Sequence, residues 1–225
     1  MHYGLKMKER IRQQVFDFIS NYEIDIAHDI FHLDRVCNNC LFLNEKENHK
    51  KDEPVLILSS YLHDFHRLSS GNDSKLKKVE ESEELLYNFF QKNSEYKNYR
   101  NEVISLVSAT DKYSFSDDKQ NKSKIDIKAK ILFDADSLEA LGAIGIARAF
   151  SFGQWIEEPI YNPQFPLKDD TFYQAKKTHS VLHHFYEKLF KLENEFYTET
   201  AKKIAKERTE FTRLYIKIFL EEISL

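Results

Sequence analysis

Apolar side chains recur three and four positions apart along most of this chain. Ile11, Val15, Phe18 and Ile19 form one such stripe, Leu85, Leu86, Phe89 and Phe90 a second, and Phe211, Leu214, Tyr215 and Ile218 a third, the period of a helix with one face turned inward. Alternation at every second position, the mark of a strand, is scarce. Only 5 glycines and 4 prolines interrupt the pattern, and Pro159, Pro163 and Pro166 share one short segment, so long unbroken helices are expected elsewhere. The spacing predicts helices near residues 5–20, 26–46, 54–66, 75–92, 99–111, 126–137, 138–152, 169–192 and 198–223. The fold class is therefore all-α, and 225 residues suffice for one large domain with a sizeable core.

Two segments break the helical pattern: the polar run Ser114 to Ser123, and Gly153 to Asp170, which holds the only tryptophan, Trp155, with Tyr161 and Phe165. Each fits a lid over a site. Each fits equally a surface connection whose aromatics pack locally.

Charge narrows the range of partners. Lysine and arginine number 33 against 37 acidic residues, for a net charge of -4, which argues against general nucleic-acid binding and leaves small anionic ligands open. A mean hydropathy of -0.59 excludes a membrane-embedded character. Charges recur through MHYGLKMKERIRQQVFDF, so no signal-peptide core is expected and a cytoplasmic location is the expectation. Cys37 and Cys40 form a lone CxxC without a second ligand pair, which suits neither a zinc knuckle nor a redox motif.

The chemistry concentrates in three places. His28, His32 and Arg35 fall at helical spacing on one stripe. The apolar stretch Leu56 to Leu62 ends in the adjacent pair His63–Asp64, and Asp134 and Asp136 sit inside a second apolar run, Ile131 to Leu141. Burying a histidine beside an aspartate is costly unless something pairs with them, and a cation does so well. One histidine of the stripe, His63, Asp64 and one of Asp134 and Asp136 would make a mixed nitrogen and oxygen donor set that leaves coordination positions open. Hydrolysis at phosphorus is the natural use of one such divalent cation. Manganese, magnesium, iron, cobalt and nickel all fit, and zinc fits less well because no thiolate belongs to the set.

Around this set, Asp64 and His28 are the candidates for catalytic work, His28 as a proton shuttle or as the group that orients the ligand helix. Helix-end packing is the competing role for His28. Arg35 could grip a phosphate with paired hydrogen bonds or form a salt bridge to Asp29 or Asp64. Lys75, with Lys77 and Lys78, could reach a polyphosphate from the rim or simply solvate a helix. Arg148 could contact phosphate or pair internally. Gly142, Ala143, Gly145 and Ala147 suggest close approach of another helix, and the aromatic face of Phe172, Phe185, Tyr186, Leu189 and Phe190 is core or a homodimer surface.

The order H…HD…D resembles the HD superfamily, and the resemblance implies that the matching residues, His32, His63, Asp64 and Asp136, coordinate one metal. The segment KILFDADSLEALGAIGIARAF over 130–150 is similar to the DADxLEALGAIGIAR signature of its bacterial YedJ/YpgQ-like branch. His184 to Leu192, followed by Thr198 to Ala201, is similar to that branch's C-terminal helical motif, so the likeness runs from about Ala27 to the last residue. The resemblance implies a single compact HD-type helical bundle over 1–225, with a metal-binding core near 26–150 and a C-terminal helical extension near 168–225. It implies hydrolysis of nucleoside or deoxynucleoside triphosphates to monophosphate and pyrophosphate, with a small phosphorylated substrate and no nucleic-acid or membrane partner. Ser137 stands where the branch usually has Arg or Lys, and Tyr113 where relatives often carry His; metal ligation should survive both changes, which bear on substrate choice. Competing activities are a nucleoside monophosphatase or phosphodiesterase on the same metal, a di-iron oxygenase that would need a further ligand such as His66, and a catalytically weak nucleotide sensor that keeps the metal for stability.

Overall fold

The computed structural model describes residues 2–49, 53–68, 83–112, 125–168 and 178–224. Among them are nine α-helices and no β-strand: α1 His2–Ile19, α2 Ile30–Lys46, α3 Glu53–Leu62, α4 Glu83–Lys92, α5 Arg100–Lys112, α6 Ile127–Leu138, α7 Gly142–Trp155, α8 Val181–Glu187 and α9 Glu199–Ile223. No helix among the described residues is long and apolar enough to cross a membrane. The chain divides into two compact units, Met1–Ala135 and Asp136–Leu225, and the division falls inside α6.

In the first unit α3 is the hub. Every residue from Val55 to Leu62 is buried, and the helix packs against α1, α2 and α5, as expected of a helix apolar on all sides. Phe18 of α1 stacks on Phe65 at 5.2 Å between ring centroids, with Phe89 edge-on to both. One carboxylate ties three helices together. Asp34 accepts from Arg12 Nε at 2.9 and 2.8 Å and from the Tyr61 hydroxyl at 2.7 Å, and burial together with that carboxylate pushes the Tyr61 phenol far up.

The helix expected over 26–46 is interrupted at its start. Asp25 caps a short 3-10 turn, Ile26–His28, by accepting from the Ala27 N–H, and Asp29 caps α2 by accepting from the His32 N–H at 2.9 Å. Short carboxylate side chains compete for the first amides of a helix, and two of them in sequence restart the backbone. The helix expected over 54–66 likewise stops at Leu62, and His63–Asp64 occupy the turn before a second 3-10 segment, Phe65–Arg67. Lys75 and the rest of 69–82 lie outside the described residues, as do Ser114 to Ser123, Tyr113 and Phe172.

In the second unit α7 packs on α9. The helix expected to begin at 138 begins at Gly142, because the chain first reverses through residues 139–141. Gly142 takes φ +73°, a left-handed conformation that costs glycine little, and its N–H donates to Thr212 Oγ1 at 3.0 Å. Arg208 donates to the Leu138 carbonyl at 2.6 Å and Arg148 to the Glu139 carbonyl at 2.9 Å, which satisfies the exposed end of α6. The small residues serve this reversal more than a helix pair. A Cβ on Gly145 would lie 2.3 Å from the Ala140 carbonyl carbon, while Ala143 and Ala147 are exposed.

The segment after α7 packs on its own unit. Pro159 and Ile160 carbonyls accept from the Val181 and Leu182 N–H groups, and the Phe165 ring stacks on His179 at 3.7 Å. Phe185, Leu189 and Phe190 are buried, so that aromatic face is core. The described part of the helix expected over 169–192 starts at Val181, capped by Ser180. Gly145→Ala should lower stability by about 1–3 kcal/mol through overpacking, read from urea melts; an unchanged midpoint would show that the 139–141 turn is not tightly seated.

Candidate metal centre

The ends of three helical segments carry the chemistry. His32 occupies the first turn of α2, fully buried at 0% exposure, where the Asp29 cap fixes the backbone. His63 and Asp64 follow the last residue of α3, at 6% and 5% exposure. Asp136 lies on the last turn of α6, the helix whose earlier residues belong to the first unit.

The hydrogen bonds fix which atoms meet. His63 Nδ1 lies 2.8 Å from the Ser60 carbonyl, and a carbonyl can only accept, so Nδ1 carries a proton, and in the neutral ring Nε2 then holds the lone pair. That Nε2 faces Asp64 Oδ2 at 3.3 Å, and His32 Nε2 lies 3.3 Å from the same oxygen. Asp64 Oδ1 accepts from Arg67 Nε at 2.9 Å, while Oδ2 is buried without a hydrogen bond. Two acceptors facing each other in a buried site repel unless a positive centre lies between them. Ligands bonded to one cation at roughly 2.0–2.2 Å are themselves separated by roughly 3.0–3.5 Å, the spacing seen here. Ligand atoms of His32 and His63 also lie within 4.8 Å of each other. The donors present fit a single divalent ion, and two imidazoles with carboxylates suit first-row metals from manganese to nickel and tolerate magnesium.

The electrostatics agree with a carboxylate kept ionised. Burial pushes the Asp64 carboxyl up, and the pull of His63, Arg67 and His32 more than offsets it, leaving it well below the usual range. Asp25 is held low in the same way: burial raises it, and His28 with Arg67 more than compensates.

The other sequence candidates are placed as follows. His28 sits in the 3-10 turn ahead of α2, its Nδ1 2.7 and 2.9 Å from the Asp25 carboxylate and its ring edge-on to His32 at 5.6 Å, so it does adjoin the ligand group. Arg35 is half-buried on α2, but the cation on Asp64 is Arg67. Arg148 binds the Glu139 carbonyl, which gives it a packing contact. His66 is half-buried with Nδ1 3.3 Å from the His63 carbonyl and does not belong to the ligand group. Asp25 and Arg67 were not singled out from sequence. Their only signal there is a spacing of three residues, Asp25 before His28 and Arg67 after Asp64.

No protein-family model matches the chain. It is 27% identical over 219 residues to YpgQ of Bacillus subtilis, covering 97% of this chain and 95% of that one. The crystal structure of YpgQ in complex with ADP superposes with a TM-score of 0.67, over 97% and 96% of the two chains. An HD-superfamily hydrolase from Bacillus thuringiensis superposes with a TM-score of 0.64 at 25% identity, over 98% of each chain. Over nearly its whole length the chain is therefore similar to HD-superfamily hydrolases. The likeness extends to YpgQ, and in this chain the order H…HD…D falls at His32, His63, Asp64 and Asp136.

Manganese or cobalt at a hundred times its dissociation constant should add about 2.7 kcal/mol of stability by linkage. Differential scanning fluorimetry reads this as a rise in Tm; no rise with any of the five candidate metals would mean that the buried donors do not bind a cation.

Proposed function

We propose that this HD-superfamily hydrolase cleaves nucleoside or deoxynucleoside triphosphates to monophosphate and pyrophosphate, with one divalent cation held by His32, His63, Asp64 and Asp136. The reading is carried by one observation: a buried carboxylate oxygen 3.3 Å from two imidazole nitrogens. The ADP held by YpgQ supports a nucleotide as the substrate class. When bound, the cation supplies Lewis-acid polarisation of a phosphoryl oxygen and offsets charge as pyrophosphate departs.

The chain's own groups do the rest. Ser60 orients His63 through its Nδ1 proton, and Arg67 holds one oxygen of Asp64 so that the other faces the ligand group. Asp64, kept ionised, accepts a hydrogen bond from the attacking water and aims it at phosphorus. Asp25 ties down one ring nitrogen of His28, and the other handles the proton that the leaving group needs. Arg35 is the substrate-facing cation in this reading, with Lys75 the candidate at the rim. Arg148, engaged with Glu139, serves packing.

Incubation with a panel of nucleotides and manganese, magnesium, cobalt or nickel, followed by product chromatography, tests the reading. Triphosphates should yield monophosphate and pyrophosphate in equal amounts; phosphate released from monophosphates would instead identify a monophosphatase. His63→Ala should lose both activity and stoichiometric metal. His28→Ala should keep the metal and lower kcat about 10²–10⁴-fold; retained activity in His63→Ala would remove the proposed site.

A further inference from the structure

Two apolar side chains next to the metal centre stand in water. Ile26 is 75% exposed and Phe31 60%, the two highest values for large apolar side chains among the described residues. They bracket His28: Ile26 opens its 3-10 turn, and Phe31 lies in the first turn of α2, directly before the buried His32. Side chains on a helix lean toward its N-terminus, so the Phe31 ring leans from α2 toward the turn that carries Ile26 and His28. A single exposed apolar residue is ordinary. Two of them, on either side of one histidine at the edge of a buried donor group, forgo burial that the fold would gain elsewhere.

The neighbours of Phe31 say what it holds. One turn along its face of α2 lie Asp34 and Arg35, and then Asn38, before the next apolar residue on that stripe, Phe42. A partner helix needs an apolar stripe that continues from turn to turn, and here polar side chains interrupt it. Asp34 is neutralised by Arg12, bonded at 2.9 and 2.8 Å, so its charge does not oppose an anion on this face, and the half-buried Arg35 favours one. A flat ring and an aliphatic side chain beside a cation and a metal centre suit a small ligand with an aromatic face at one end and negative charge at the other.

We propose that Phe31, with Ile26 beside it, is the platform for the nucleotide's base: the base stacks on the Phe31 ring while the phosphates reach the cation held by His32 and the other ligands. The inference rests on the nucleotide reading of the metal centre and adds which side chains meet the base. Every base offers a flat face, so such a contact favours nucleotides over bare polyphosphates with little choice among bases. Neither side chain touches the reacting bond, and both act on specificity.

Calorimetric titration of the full chain with manganese present separates base from phosphates. The two ligands are α,β-methylene-ATP, which resists cleavage between its first two phosphates, and inorganic tripolyphosphate, which has no base. Phe31→Ala and Phe31→Leu should each weaken binding of the nucleotide about tenfold and leave the affinity for tripolyphosphate where it was. Phe31→Trp should keep the nucleotide affinity or raise it, because the flat face is restored, and Ile26→Ser should lower it. Phe42→Ala, farther along the same helix, should change neither affinity. Nucleotide affinity indifferent to Phe31→Ala, equal weakening of both ligands by that substitution, or a Phe31→Leu chain that binds the nucleotide as well as the Trp variant would overturn the base platform while the metal-bound phosphates stand. An unsubstituted chain that binds neither ligand would overturn the platform and the nucleotide reading together.

Discussion

Asp64 is buried with one oxygen bonded to Arg67 and the other 3.3 Å from two imidazole nitrogens. The Ser60 carbonyl fixes one proton of His63 on the far side of its ring, so when the ring is neutral a lone pair faces the carboxylate. Such an arrangement is expensive in a low-dielectric interior. A cation turns the same geometry from repulsive to strongly favourable. The folding of the first unit can be understood as the solution to delivering these atoms to one place.

That delivery explains features that would otherwise be unrelated. Helix α3 is buried on all sides, so the residues just after its end emerge inside the protein and not at its surface. The double cap at Asp25 and Asp29 restarts the backbone so that His32 falls on a first helical turn with His28 beside it. Asp34, bonded to Arg12 and Tyr61, holds α1, α2 and α3 in fixed relation a few residues away. Each of these polar contacts is satisfied within the protein, whereas Asp64 Oδ2 is among the buried polar atoms that have no hydrogen bond.

The helical character of nearly every described element could be read from periodicity, because long amphipathic stripes with few glycines or prolines admit little else. The breaks were harder to read. Asp29 and the reversal over 139–141 interrupt helices at residues whose apolar neighbours keep the helical period, and only side-chain capping and the Arg208 and Thr212 contacts decide against continuation. Of the four proposed donors, His63, Asp64 and Asp136 stood out because histidines and aspartates inside apolar runs are rare and costly, and His32 stood out only through the H…HD…D resemblance. Arg67 and Asp25 were not, since a charged residue three positions from another is common on any helix surface, and burial, invisible in sequence, is what gives these two their role. The same holds for Arg148, whose engagement with a helix-end carbonyl depends on a turn that the sequence pattern does not announce.

Anomalous diffraction from crystals grown with manganese tests the central claim most directly. The account predicts one strong peak bonded to the Nε2 atoms of His32 and His63 and to carboxylate oxygens of Asp64 and Asp136, with Arg67 still on the other Asp64 oxygen. Strong manganese peaks elsewhere with none among these four side chains would contradict it.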